Sequence, residues 1–411
     1  MEQTQNKQQS QQLSAFSFFK KAVFAVLKNT SVGCLTMVED QQTYQFGDIN
    51  ADLQATVIVN NQDIYRTLLL KGSIGIAEDF VAGKWHSPEL TRVIEFFVAN
   101  QASLDAIETK FGVLTRIGYF LKKLKRRNNV EQAKQNILAH YDLGNHLYQE
   151  FLDPHMQYSS AIYPDANTDL DQAQQHKLDT ICQRLQLRPG DNVMEIGTGW
   201  GGLAIDMAKH YQCQVTTTTI SDAQHHYAQQ KIKEAGLEDS ITLLQEDYRQ
   251  LTGQYDKLVS IEMIEAVGHE YLDGFFQKCN SLLKRDGLML IQAITIADQR
   301  YDFYRKDVDF IQTYIFPGGC LPSIERMTNC ISQQTDMVMH QLHDIGLHYA
   351  NTLKHWRERF LTAWPQLQTQ GFDEQFKRLW LYYLCYCEGG FLQRAISTVH
   401  LTARKPAFQG E

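Results

Sequence analysis

Three features of the chain predict an α/β fold, a doubly wound, mostly parallel sheet with a smaller α+β domain ahead of it. Strand-like runs alternate with helical stretches after residue 130: NVMEIG, QVTTTTI, SITLLQED, KLVSIEMI and GLMLIQAIT. Such alternation puts helices on both faces of a parallel sheet. A glycine-rich loop, EIGTGWGG (195–202), follows the first of these runs and opens a helix. The chain has 411 residues, which at about 150 per domain allows roughly two to three domains.

Composition narrows the class. Hydrophobic residues are 43%, aromatic ones 11% and charged ones 21%, which excludes a mainly disordered chain. The formal charge of −8 argues against a nucleic-acid partner, because such binders present a net basic surface. No apolar run reaches the roughly 18 residues of a spanning helix. The run at 22–27 is too short for the apolar core of a secretory signal, so a cytoplasmic protein is expected. Eight cysteines with no C-x-x-C pair suggest neither a disulfide framework nor a zinc site, and no metal is expected.

The elements are read in order. Residues 1–13 are a Gln-rich polar tail, expected to be disordered. An α+β domain is expected over 14–108. In it, residues 16–28 place apolar side chains at helical spacing. The runs CLTMV, ATVIV and YRTLLL within 31–70, split by Gly, Asp and Asn, read as a small sheet. Residues 74–100 have a helical period interrupted at Gly83 and Pro88. A basic amphipathic linker helix is expected over 109–130. Its stretch 110–127 carries seven Lys/Arg and no acid, with Phe111, Leu114, Ile117, Leu121 and Leu124 three or four apart. That is the pattern of a membrane-surface segment; a solvated linker helix is the other reading. The second domain is expected over 131–411. It has a helical preface (132–187), an R-P-G-D turn (188–191), the alternating strands, and an aromatic-rich helical tail (356–402).

Gly197, Gly199 and Gly202 satisfy G-x-G-x-x-G, a spacing that dinucleotide folds share. The surroundings separate the cofactors. A dinucleotide site wants an acid about 20 residues on, where this chain has TTTIS (217–221). Glu195, two residues before the first glycine, suits a cationic sulfonium cofactor that also carries an amino group. The acids of EDY (246–248) end the third strand within reach of an adenine, at the edge where open α/β sheets bind ligands.

These residues belong to a longer ordered set: HYDLGNHLY (140–148), LDPHMQYSSA (152–161), EIGTGWGGLA (195–204), TISDAQ (219–224), EDYR (246–249), EMIEAVGHE (262–270), YIFPGGCLPS (314–323), ERFLTAWP (358–365) and YYL (382–384). In that order the chain resembles the cyclopropane-fatty-acyl-phospholipid synthases and their mycolic-acid relatives. These are S-adenosylmethionine (SAM) methyltransferases that act on lipid double bonds. GSIGIAEDFVAGKW (72–85) extends the likeness, less sharply, into the N-terminal domain.

The resemblance implies a Rossmann-like SAM-dependent methyltransferase domain. It also implies SAM as cofactor, bicarbonate as a bound base, and methyl transfer to a cis double bond of a phospholipid acyl chain. Proton removal then closes a cyclopropane ring. Carried over, Tyr158, Ser159, Glu195, Gly197, Gly199, Trp200, Gly201, Gly202, Thr219, Gln224, Asp247 and Tyr248 hold SAM. The base site falls on Ser160, Glu265, Gln292, Ile294 and Tyr383. Cyclopropane synthases usually carry Cys where this chain has Ser160, and His where it has Gln292. Ser160 keeps a donor, whereas Gln292 keeps an amide donor but can carry neither a proton nor a charge. Glu265 remains as relay or direct base. If the proton leaves another carbon, the product is a methyl- or methylene-branched chain. A small-molecule SAM methyltransferase and a non-catalytic lipid-binding relict are further alternatives. Aromatic faces such as Tyr314 and Phe316 are candidates to face the cation. The expected substrate is unsaturated phospholipid at the membrane surface, with 110–127 drawing in anionic headgroups. Peripheral association with the inner face of the cytoplasmic membrane and a homodimer complete these expectations.

Overall fold

The computed structural model describes residues 18–101 and 144–410. The tail 1–13 and the basic stretch 110–127 lie outside them, as does the whole of the linker 109–130 with its flanks 102–108 and 131–143. The described residues form two compact units. One joins the N-terminal residues to 307–310 and 364–393; the other takes 144–306, 311–363 and 394–410. A single boundary at 131 does not separate them, because 364–393 return to the N-terminal group.

In the first unit, residues 18–27 form helix α1. Strands β1 (Cys34–Glu39), β2 (Gln42–Gly47) and β3 (Gln54–Val59) follow, then α2 (Asp63–Val81), β4 (Trp85–His86) and α3 (Leu90–Ala99). The sheet order is β2-β1-β3-β4, with β1 parallel to β3. CLTMV and ATVIV are strands, as read. YRTLLL is not; it lies in α2. Tyr65 and Leu69 are buried one helical turn apart, and leucine favours helix, so the four-residue spacing overrode the apparent strand run. Gly72, at φ 58, breaks α2 internally.

The second unit runs α4 (Asn145–Gln149), α5 (Leu170–Arg184), β5 (Asn192–Ile196), α6 (Gly202–Tyr211), β6 (Gln214–Thr218), α7 (Asp222–Glu234), β7 (Ile241–Leu244), β8 (Tyr255–Ile261), α8 (Leu272–Leu282) and β9 (Leu283–Ile296). Then come α9 (Asp298–Tyr304), α10 (Ile324–Gln334), β10 (Val338–Asp344) and α11 (Gly346–Thr369), whose residues from 364 on count with the first unit; α12 (Glu374–Leu392) follows in the first unit, and β11 (Ile396–Arg404) returns to the second. Side chains of Asp169, Ser221, Ser323 and Asp373 accept backbone N–H groups at the starts of α5, α7, α10 and α12, the capping that fixes where such helices begin.

The seven strands lie in the order β10-β11-β9-β8-β5-β6-β7. The five from β5 to β9 are parallel; β10 and β11 are antiparallel. Both faces are covered. Val193, Val215 and Val259 pack with Leu178 of α5 and Met207 of α6, while the alternate residues Met194, Ile196 and Leu258 pack with Phe275 and Cys279 of α8. That two-residue alternation into two cores explains the near-continuous apolar strand runs. From β5 the chain winds outward to β6 and β7, and from β8 outward to β9. The switch lies between β5 and β8, where open sheets place ligands at the strands' carboxyl ends.

The expected helical tail is corrected at its end. α12 stops at Leu392, and ISTVHLTAR becomes β11, antiparallel to β9. Its Ile, Val and Thr residues suit a pleated, buried surface better than a helix. α12 itself belongs to the first unit. Gly389 lets it meet α3 closely: a Cβ there would lie 2.8 Å from Ile94 Cγ2.

Candidate active site

The glycine loop leaves β5 through residues that only glycine adopts easily. Gly197, Gly199 and Gly201 have φ of 102°, 54° and 91°. Gly202 starts α6 against the 152–161 segment; a Cβ there would lie 2.4 Å from the His155 carbonyl oxygen. The N–H groups of Gly197 and Thr198 donate to Thr218 O at 3.1 and 2.9 Å, tying the loop to the end of β6.

Glu195 sits just before this loop, 2% exposed. Its Oε2 accepts the Thr217 hydroxyl at 2.5 Å. Burial pushes its pKa up to about 8, against the Thr217 bond and the Lys177 charge. A buried carboxylate of raised proton affinity, beside a left-handed glycine loop, fits a cationic cofactor, which would favour its ionised form. Thr219 Oγ1 donates to Gln224 Oε1 at 2.9 Å, linking the end of β6 to α7. Trp200 Nε1 donates to Asn145 Oδ1 at 2.9 Å. Tyr158 stacks obliquely on Trp356 at 5.2 Å and meets Tyr148 edge-on at 5.2 Å. Ser159 is buried, and its carbonyl accepts Gln174 Nε2 at 2.9 Å. Asp247 accepts the Arg249 N–H at 3.0 Å, while the Tyr248 ring turns into the core against Phe275 at 5.4 Å.

A second polar cluster lies at the ends of β8 and β9. Ser160 and Gln292 are fully buried. The Ser160 N–H and Gln292 Nε2 donate to Glu262 Oε1 at 2.9 and 2.7 Å, and the Tyr349 hydroxyl donates to Glu262 Oε2 at 2.8 Å. The other end of Gln292 accepts from His400 Nε2 at 2.7 Å. Arg184 Nη1 donates to His400 Nδ1 at 2.6 Å, so the imidazole proton is on Nε2. Burial and the Arg184 and Lys177 charges hold His400 neutral, well below its ordinary pKa. Glu265 Oε1 accepts the Ile294 N–H at 2.5 Å. Its Oε2 is closed to solvent and has no hydrogen-bond partner. Burial, then the neighbouring Glu262 charge, raises Glu265 to about 8.

Ser160, Glu265, Gln292 and Ile294 thus meet in one cluster, as read from the sequence. Tyr383 lies in the other unit, on α12, buried edge-on to Trp380 at 5.2 Å. The tyrosine that meets this cluster is Tyr349. Phe316 lies 6.3 Å from the Tyr158 ring, whereas Tyr314 is 40% exposed. Glu262, Tyr349, His400 and Lys177 were missed. Glu262 was in view, in EMIEAVGHE, three residues before Glu265. Lys177 shares a helix face with Ala173 and Ile181, four residues to either side, and all three are buried; that apolar spacing is the signal that could have found it. Its ammonium donates to Gln157 Oε1 at 2.6 Å and Ser159 Oγ at 3.1 Å. Burial lowers its pKa to about 8, opposed by Asp153, Glu262, Glu195 and Asp206.

The donors implied for bicarbonate are already engaged. Ser160 Oγ donates to Ala161 O at 3.0 Å, the Ser160 N–H and Gln292 amide serve Glu262, and the Ile294 N–H serves Glu265. A small anion placed here would meet two carboxylates, so the residues present do not fit it.

The model for the family described as mycolic acid cyclopropane synthetase matches residues 128–401. The chain is 39% identical over 353 residues to the cyclopropane-fatty-acyl-phospholipid synthase of Escherichia coli strain K12, covering 85% of this chain and 87% of that protein. It is 38% identical over 327 residues to the tuberculostearic acid methyltransferase UfaA1 of Mycobacterium tuberculosis, covering 78% and 76%. The crystal structure of the mycolic acid cyclopropane synthase CmaA1 complexed with SAH and CTAB is similar with TM-score 0.62 at 30% identity, over 66% of this chain and 98% of that one. With its glycine loop, buried Glu195 and doubly wound sheet, the chain belongs to the mycolic acid cyclopropane synthetase family of SAM-dependent methyltransferases.

Proposed function

We propose that this enzyme transfers the methyl group of SAM to a cis double bond of an unsaturated phospholipid acyl chain and closes a cyclopropane. One observation carries the reading. Two acidic sites stand at the carboxyl ends of neighbouring strands, the buried Glu195 at the end of β5 and the half-buried Glu262–Glu265 pair just after β8. The first suits a sulfonium cofactor. The second suits removal of a proton from the cation that methylation leaves on the lipid.

Bound SAM supplies an electrophilic methyl group. Glu195, the glycine loop, Thr219 and Gln224 hold the cofactor, and Trp200 braces the loop through Asn145. An alkene is a weak nucleophile, so alignment in a dry site must do most of the work. The rings of Tyr148, Phe151, Tyr158 and Trp356 supply apolar walls and π-faces toward a cationic centre. The carboxylate pair takes the proton.

Gln292 favours a second outcome. Its carboxamide relays no proton, so loss from a different carbon would give a methyl- or methylene-branched chain. Among the described residues no helix is long and apolar enough to cross a membrane. Access to acyl chains would come by peripheral docking at the inner face of the cytoplasmic membrane, supported by the seven Lys/Arg and absent acids of 110–127. Incubation with SAM and mono-unsaturated phospholipid vesicles, then proton NMR of the released fatty acids, tests the reading. Cyclopropyl signals are expected. Vinyl or branched-methyl signals would establish the second outcome, and unchanged olefin would reject both.

A further inference from the structure

We propose that the Glu262 carboxylate is the built-in base of this site, occupying the place in which the family resemblance puts a bound bicarbonate. The inference rests on the methyl-transfer reading and concerns where its proton goes.

Three donors from separate parts of the fold converge on one carboxylate. The Ser160 N–H and Gln292 amide reach Oε1 at 2.9 and 2.7 Å; the Tyr349 hydroxyl reaches Oε2 at 2.8 Å. A bicarbonate ion also presents a planar pair of oxygens, and the same donors would serve it. They cannot serve both. Glu262 therefore fills a carboxylate-shaped pocket from within, at no cost in translational entropy to each turnover.

The sequence change at 292 fits this role. Gln292 must accept from His400 at one end and donate to Glu262 at the other. A carboxamide does both at once. Arg184, as a pure donor, fixes the His400 proton on Nε2, and that in turn fixes which way the Gln292 amide points. The chain Arg184–His400–Gln292 thus holds a donor on Glu262. The backbone is also committed: Glu262 has φ 48°, left-handed geometry that is uncommon for a residue with a Cβ and is found where the surroundings impose it. Its own N–H donates to Gln292 O at 2.8 Å, which holds that turn.

Glu265 completes the pair. Two adjoining carboxylates do not both ionise readily. Burial raises the pKa of both, but in Glu262 three donors and the Lys177 charge oppose it, whereas Glu265 has only backbone N–H donors and an unpartnered Oε2. The negative charge is therefore on Glu262 and the proton on Glu265.

The step balances as follows. The alkene π pair forms a bond to the methyl carbon as the sulfur–methyl bond breaks, leaving a neutral thioether and a cation on the adjacent acyl carbon. A C–H bond of the transferred methyl then breaks. Its electron pair closes the ring, and the proton goes to Glu262 Oε2, the oxygen with one donor rather than two.

The test uses the full-length enzyme, SAM and mono-unsaturated phosphatidylglycerol vesicles in buffer stripped of carbon dioxide. Wild-type turnover should be unchanged when bicarbonate is added back. Glu262→Ala should bind SAM like wild type yet lose about 10²-fold or more in turnover, the scale of a lost general base. Added bicarbonate or formate should restore part of that loss by entering the vacated pocket, which a merely structural role would not produce. Glu262→Gln, which keeps the bulk but not the charge, should be equally slow and not rescued. Wild-type activity that requires bicarbonate, or Glu262→Ala with wild-type turnover, would overturn the proposal. Wild-type enzyme that leaves the lipid unmethylated at every bicarbonate concentration would overturn the methyl-transfer reading as well.

Discussion

Glu195, buried, and Glu262, half-buried, stand at the ends of adjacent strands, and their surroundings differ. Glu195 has one hydroxyl donor and a pKa raised to about 8. Glu262 has three donors on its two oxygens. The first is an incomplete site, electrostatically ready for a cation from outside. The second is complete without any added partner. On the roles proposed above, a carboxylate's own hydrogen bonds separate ligand binding from chemistry where residue type does not. The Lys177 ammonium interacts with the charges of both acids and donates to Gln157 and Ser159.

The comparison can be broken most severely at that lysine. Lys177→Met should cost about 3 kcal/mol or more, because removing one partner of a buried charge set leaves the others uncompensated. Urea unfolding measures it, and a change below about 1 kcal/mol would show that the lysine is not balancing the acids. If the variant folds, SAM affinity and turnover should both fall, since Ser159 and both acids lose their shared neighbour.

Glu195→Gln sharpens the contrast. A hydrogen bond to a charged group contributes about 1.5–3 kcal/mol, so SAM binding by calorimetry should weaken about 10- to 100-fold. The ligand-free variant should nevertheless be more stable than wild type at pH 8. In the folded wild type the Glu195 pKa is raised from 4.5 to about 8, so the native state holds a proton that the unfolded chain has released. That contribution is fully present below pH 4.5 and is lost as pH rises through 8. The difference in Tm between variant and wild type should therefore grow from pH 5 to 8; a pH-independent difference would contradict the raised pKa.

The same shift predicts proton release when SAM binds. Calorimetry at pH 7 in buffers of unlike ionisation enthalpy should show net release that is smaller in Glu195→Gln. Identical proton counts in the two proteins would locate the titration elsewhere.

An effect on docking with little effect on chemistry is expected of the basic stretch 110–127. Changing Lys122, Lys123, Lys125, Arg126 and Arg127 to Gln should weaken sedimentation with anionic vesicles by about 1 kcal/mol per charge, while turnover of detergent-dispersed lipid persists. Equal vesicle binding by the variant would remove the docking role assigned to 110–127.

The cofactor half was legible because it is local. The glycine spacing, Glu195 and the strand before them lie within a dozen residues, and local chain geometry sets their arrangement. The five parallel strands were legible for the same reason: each is a short apolar run between turns. The proposed base half is not local. Ser160, Arg184, Glu262, Gln292, Tyr349 and His400 are carried by a loop, α5, the end of β8, β9, α11 and β11. Only the strand order brings them together. His400 is further hidden because the aromatic-rich tail reads as helical to its end, whereas ISTVHLTAR forms β11; Tyr383 follows only from the family resemblance at YYL, and nothing local in the sequence points to Tyr349. The exchange of His for Gln292 was visible, but its meaning needed Glu262 beside it.

The most direct measurement follows the methyl group itself. SAM labelled with carbon-13 at the sulfur-bound methyl is incubated with enzyme and mono-unsaturated phospholipid vesicles, and the acyl chains are analysed by carbon NMR. The account predicts the label in a cyclopropane methylene bridging the two former olefinic carbons. Label recovered only in water-soluble products, with every double bond intact, would contradict it.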